Sequence, residues 1–99
     1  MTARPAVSET ALHRAAAAMR GMAYEHRLHI LVILRDGEAT PTQLAAALAV
    51  HTTVVAHHLR HLADARLVRR RRRGQRVLYS LPDEATNRLV AEVLRYARE

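Results

Sequence analysis

Seven of the eleven residues from Arg66 to Arg76 are arginine, and the hairpin-like segment they populate directly follows a stretch, Thr40 to Leu67, that reads as a helix-turn-helix. Guanidinium groups stay charged at any working pH and fork two hydrogen bonds onto a phosphate or a guanine edge. The chemistry on offer is therefore polyanion binding. Side chains on a helix would reach base edges, and a basic finger beside it would neutralise phosphates. Thr52, Thr53, His57 and Arg60 flank the outward face of the second helix of that pair. Arg70, Arg71, Arg72, Arg73, Gln75 and Arg76 form the finger. Strand alternation sends successive arginines to opposite faces, so about half of them reach a phosphate at once. Thr42 and Gln43, at the start of the preceding helix, are candidate phosphate donors, although capping alone would account for them. His58 lies nearer the core boundary, where packing and nucleic-acid contact are both open, and His57 has a structural alternative as well.

Histidine is the other residue type with chemistry to offer. His57 and His61 stand at i, i+4, and His26 and His29 at i, i+3, so each pair could chelate nickel or zinc across one helical turn. Isolated pairs supply only half a tetrahedral shell, and no metal ligand set is assigned. Catalysis finds little to work with. The chain has no cysteine and no lysine, which removes thiol nucleophiles, thiolate metal sites, Schiff bases and phosphate-loop lysines. Ser8 and Ser80 lack a nucleophile-elbow setting, and Asp83-Glu84 fits a helix start better than acid-base work. An enzyme is not expected.

All 16 basic residues are arginine, and against 9 acidic residues they give a net charge of +7 over 99 residues. That length suits one domain whose core is completed by a partner's surface. The longest apolar run, Leu28 to Leu34 with His29 inside it, is far short of the roughly 20 residues of a membrane helix. With no signal-peptide pattern at the N-terminus and no cysteine, the chain is expected to work in the cytoplasm.

The elements that hold these residues can be read from periodicity and caps. Residues 1–7 are expected to be a flexible arm, and residues 8–99 one domain. Ser8 should cap a first helix carrying Leu12, Ala15, Ala16, Met19 and Met22. Its alanine run serves either helix propensity or close approach of another helix. A second helix runs from about Tyr24 to Arg35 and ends at Asp36-Gly37, with glycine in a left-handed C-cap. Thr40-Pro41-Thr42-Gln43 opens a third with a capping box, holding Leu44, Ala45 and Leu48 inward. The fourth starts at His51 or Thr52 and continues to about Arg66, with Val55, Leu59 and Leu62 on one face and Thr53, His57, Arg60 and Asp64 opposite. Val68 to Arg73 and Arg76 to Leu81 pair as strands around Gly74-Gln75, with Val68 and Tyr79 anchoring the hairpin. Asp83 starts a last helix, Glu84 to about Arg98. Its stripe of Leu89, Val90, Val93, Leu94 and Ala97 is too wide for a solvated terminal helix.

The segment from Met22 to Leu81 resembles the ArsR family of winged-helix repressors, also called ArsR/SmtB. The resemblance rests on Glu25-His26-Arg27-Leu28-His29-Ile30-Leu31, Gln43-Leu44-Ala45, Val55 to Leu62, and Leu67-Val68-Arg69-Arg70 leading to Gly74-Gln75-Arg76-Val77-Leu78-Tyr79. It implies a mainly α winged helix-turn-helix fold with a two-stranded hairpin, ordered α-α-α-α-β-β-α. It also implies a homodimer built from the first and last helices, through Leu12, Ala15, Ala16, Met19, Leu89, Val90, Val93, Leu94 and Ala97. Such a dimer would bind a palindromic double-stranded operator with half-sites about 34 to 36 Å apart. Many members of the family release DNA on binding metal, which makes a nickel- or zinc-responsive sensor the alternative. The family's ligands are missing, however: Thr42 to Leu48 has no cysteine, and the last helix offers Asp83 and Glu99 but Ala85 and Tyr96 where imidazoles are needed. A basic module for RNA or an acidic protein is a third class. Against it, Tyr24, Tyr79 and Tyr96 are the only aromatics besides histidine, and RNA readers stack bases on exposed rings.

Overall fold

The computed structural model describes residues 6–98 as five helices and one hairpin. The helix α1 (Glu9–Gly21) begins where the Ser8 Oγ accepts from the Ala11 amide at 3.0 Å. The arm expected over residues 1–7 lies largely outside the described residues. Next, α2 (Glu25–Arg35) buries Arg27, Ile30, Leu31 and Leu34 as one stripe. Its end differs from the expectation. Asp36 is the C-cap, in right-handed helical geometry, and Gly37 takes φ +146°, a value glycine tolerates but not that of the left-handed cap. Gly37 thereby starts an extended segment instead of closing the helix.

The start of α3 (Pro41–Leu48) carries both reciprocal bonds of a capping box. The Gln43 amide donates to Thr40 Oγ1 at 3.1 Å and the Thr40 amide to Gln43 Oε1 at 2.9 Å, with Pro41 at the first position. A tight turn follows with Ala49 at φ +56°, and the Val50 amide bonds back to the Ala45 carbonyl at 3.1 Å. The next helix, α4 (Thr52–Asp64), stops about two residues earlier than expected. Arg66 adopts φ +61° and the Leu67 amide reaches the Leu62 carbonyl at 2.9 Å, the same 6→1 closure.

Strands β1 (Arg69–Arg73) and β2 (Arg76–Ser80) pair antiparallel, from Arg69 opposite Ser80 to Arg73 opposite Arg76. Gly74 turns at φ +62°. The second edge of β2 is covered too, because Ala39 and Tyr79 exchange amide-to-carbonyl bonds of 3.0 and 2.8 Å. The hairpin is thus fixed to the link before α3 as well as by Val68 and Leu78, both buried. Finally, α5 (Glu84–Ala97) opens on Asp83, whose Oδ1 accepts from the amide and the hydroxyl of Thr86, each at 2.8 Å. Those bonds hold the Asp83 carboxyl below its ordinary pKa.

The core joins Ile30, Leu31, Leu34, Leu44, Leu48, Val55, Leu59, Leu62 and Leu67. Val90 belongs to it as well, with 0% of its surface exposed, and so is not available to a dimer contact. This corrects its place on the outer stripe of α5. Leu89 lies about 100° away on the helix and remains exposed. The radius of gyration is 15.2 Å, against about 13 Å for a compact domain of this size.

Candidate nucleic-acid interface

The phase of α4 is set by burial. Val55, Leu59 and Leu62 are enclosed, which leaves Thr52, Thr53, Val54, His57 and Arg60 in solvent. His51 serves as N-cap, its Nδ1 accepting from the Thr53 amide at 3.2 Å and lying 3.0 Å from the Thr53 hydroxyl. The first turn of α4 is thereby ordered before it meets any ligand. Sequence reasoning passed over His51 in this role. It also passed over Val54, an exposed apolar side chain suited to a thymine methyl. A helix-start position for His51 and a valine off the buried stripe were the available signals.

Thr42 and Gln43 are exposed at the start of α3 and share a shallow groove with Arg76 and Val77 of β2. Because Gln43 Oε1 is taken by the Thr40 amide, only the amide nitrogen of its side chain is left to donate outward. The five arginines of β1 are all exposed. Alternation divides them as expected, and Glu38 breaks the symmetry. Arg71 Nη2 lies 2.7 Å from Glu38 Oε2 and Arg73 Nη1 lies 3.8 Å from Oε1. Among the described residues Arg70, Arg72 and Arg76 make no ion pair. Gln75 stands in the exposed turn beside them.

His58 faces inward. It is half-buried against α2, where its Nδ1 accepts from Arg27 Nε at 3.2 Å and its ring meets the edge of His26 with centroids 5.6 Å apart. Burial, and then the Arg27 charge, hold its pKa below the ordinary 6.5, so the ring that accepts this bond is neutral. Desolvation followed by Arg27 shifts His61 in the same direction. His57 and His61 stack edge to face at 4.6 Å between centroids, whereas His26 turns to His58 and not to His29. No group of three or more histidine or carboxylate side chains converges among the described residues. Two imidazoles do not complete a zinc or nickel shell, so the described residues of one protomer do not by themselves hold a metal.

A helix-turn-helix with a hairpin wing, flanked by helices at both ends, defines the winged helix-turn-helix class. A homodimeric winged helix-turn-helix DNA-binding domain from Mycobacterium bovis matches the chain with a TM-score of 0.86 and 30% identity, covering 98% of this chain and 90% of that one. Residues 25–70 match the arsR family of bacterial regulatory proteins. The HTH-type transcriptional regulator NmtR of Mycobacterium tuberculosis is 34% identical over 82 residues, 83% of this chain and 68% of that protein. The transcriptional repressor SmtB homolog of Synechocystis sp. is 40% identical over 73 residues, 74% of this chain, which spans 55% of that relative's length. The chain belongs to the arsR family, whose members are regulators and not enzymes.

Proposed function

We propose that the protein is a transcriptional repressor that binds double-stranded operator DNA as a homodimer. In this reading the first turn of α4 enters the major groove, with Thr52, Thr53, Val54, His57 and Arg60 toward base edges. Thr42, Gln43 and Arg76 meet the flanking phosphates, and Arg70 and Arg72 with Gln75 lie along the backbone or in the minor groove, while Arg71 and Arg73 reach it only on leaving Glu38. The carrying observation is the pre-ordered, outward start of α4 beside an arginine strand whose partner strand, β2, is anchored at Ala39. Duplex affinity measured by fluorescence anisotropy tests it, with RNA of the same sequence as the comparison. Preference for some duplexes over others, and steep weakening with salt, are expected. Equal binding to RNA, or a flat salt response, overturns the reading.

The dimer is supported by apolar surface that one protomer leaves in water. Met19 is 70% and Tyr96 92% exposed, and Leu12, Ala15, Leu89 and Ala97 are also open, with Ala16, Val93 and Leu94 half-covered. A second copy placed on α1 and α5 would cover this surface and set two α4 helices on a two-fold axis. The operator should then be an imperfect palindrome. Control by nickel or zinc finds His57 and His61 side by side among the described residues, and would need further ligands.

A further inference from the structure

Arg27 is the buried charged group among the described residues, and the proposed DNA contacts leave it without a role. It is 6% exposed on the buried stripe of α2, and among the described residues it makes no ion pair. Its Nε donates to the neutral ring of His58, and its guanidinium carbon sits 4.4 Å from the centroid of the Tyr24 ring. Neither partner carries a negative charge. A cation taken this far from water is costly unless something neutralises it, and arginine cannot shed its proton to escape the cost. The carboxylate nearest in sequence, Glu25, lines a separate cleft with His26 and His58.

The two Nη groups have no hydrogen-bond partner among the described residues, yet Arg27 retains no fully enclosed unsatisfied atom. Each therefore keeps some contact with solvent. The cleft that Arg27 lines has a volume of about 490 Å³, between the end of α1, the start of α2 and the last turn of α4. Arg20, Tyr24, His61 and Asp64 line it too, with Gly21 forming part of the wall. Two guanidiniums against one carboxylate leave the cleft positive, and its size suits a small metabolite. We propose that this cleft binds a small oxyanion, a carboxylate or a phosphate, held bidentately on Arg27 with Arg20 at the rim.

Such a ligand would touch α4 through His61 and draw on the same guanidinium that holds His58. Resting on the DNA-binding reading, its occupancy is expected to change operator affinity. The site is tested without DNA by calorimetric titration of the intact protein with inorganic phosphate, acetate and citrate at fixed ionic strength. At least one should bind with a Kd on the order of 1 mM or tighter. Arg27→Met should weaken it roughly tenfold or more, as loss of a charge-assisted pair implies. Arg20→Met should weaken it less, Asp64→Asn should tighten it, and Arg88→Met should change nothing. Should Arg27→Met fail to fold, the Arg20 and Asp64 variants still decide.

Absence of anion binding beyond that of chloride overturns the site, as do Arg20→Met and Asp64→Asn titrations identical to the wild type. If no free anion binds while Arg27→Met weakens duplex affinity and flattens its salt dependence, the guanidinium serves a DNA phosphate and the proposal falls. A bound anion in a protein that ignores every duplex would uphold the site and refute the DNA reading. Where both hold, adding the anion should shift duplex affinity by about fivefold or more, and an unchanged affinity overturns the regulatory half.

Discussion

Glu38 restrains the wing, and removing its charge should make DNA binding more sensitive to salt. In Glu38→Gln the 2.7 Å pair with Arg71 is lost, and the weaker 3.8 Å contact with Arg73 goes with it. If Arg71 turns to a phosphate in each protomer, two further counterions are released per dimer. The slope of log K against log salt then steepens by about 1.8, and by about 3.6 if Arg73 follows. Over a rise from roughly 50 to 200 mM salt, the smaller figure means about a 12-fold greater loss of affinity than in the wild type, starting from tighter binding at low salt. The pair is half-exposed, so its loss should cost folding at most about 1 kcal/mol, and the thermal midpoint serves as the control. Anisotropy titrations on one duplex at four or five salt concentrations measure the slope. An unchanged or shallower slope with intact folding would show that this face of β1 points away from DNA, and the reasoning would fail.

The fold also makes predictions that need no DNA. The pKa of His58 is held below 6.5 in the folded protein, so the unfolded chain binds more protons as pH falls through the mid-6 range. Stability should decline there on acidification, and a urea midpoint lower at pH 5.5 than at 7.5 is expected, with His58→Gln flattening the difference; a midpoint that rises on acidification contradicts this. Asp83, with its carboxyl held below 3.8, adds a separate loss of stability only as pH drops through and below that value. At Gly21 an added Cβ would lie 2.7 Å from the Ala65 Cβ and 3.0 Å from Leu67 Cδ1. Gly21→Ala should therefore cost about 1 to 2 kcal/mol despite alanine's better helix propensity, visible as a midpoint several degrees lower, and an unchanged midpoint would mean that α1 and α4 separate freely. Met19→Glu and Leu89→Glu should each give monomers by sedimentation without loss of helix content, and a persistent dimer would place the interface elsewhere.

Where the determinants are local, the sequence was enough. The capping box at Thr40-Pro41-Thr42-Gln43 and the Ser8 and Asp83 caps satisfy amides within three residues, so residue type and spacing define them. The ends of α3 and α4 were harder to read, because the residues that turn left-handed there are Ala49 and Arg66, neither of which announces a stop as glycine does. Gly37 did announce one, but its φ of +146° serves the extended link that pairs Ala39 with Tyr79. That pairing, like the contact between Glu38 and Arg71 across 33 residues, depends on topology and leaves no local trace. On α5 the apolar stripe was legible, yet it covers two surfaces. Thr86 and Val90 face the protomer's own core, while Leu89 and Tyr96 face out, and composition does not divide them.

Helical phase does for α4 what composition cannot. His57 and His58 are the same residue at adjacent positions, about 100° apart around the axis. With Val55, Leu59 and Leu62 committed to the core, His57 is carried into solvent beside Thr53 and Arg60, and His58 is carried onto the flank of α2. There it meets Arg27, which lies on the i, i+3, i+4, i+7 stripe shared with Ile30, Leu31 and Leu34. The burial of Arg27 was therefore implicit in the sequence, since a charged residue on a core stripe must be buried or displace the stripe. What the sequence could not supply is that the guanidinium would be met by a neutral imidazole and a tyrosine ring, with no carboxylate paired to it among the described residues. An unbalanced charge is thereby set one hydrogen bond from the helix proposed to read DNA, where a small change in its surroundings has the shortest physical route to the recognition surface.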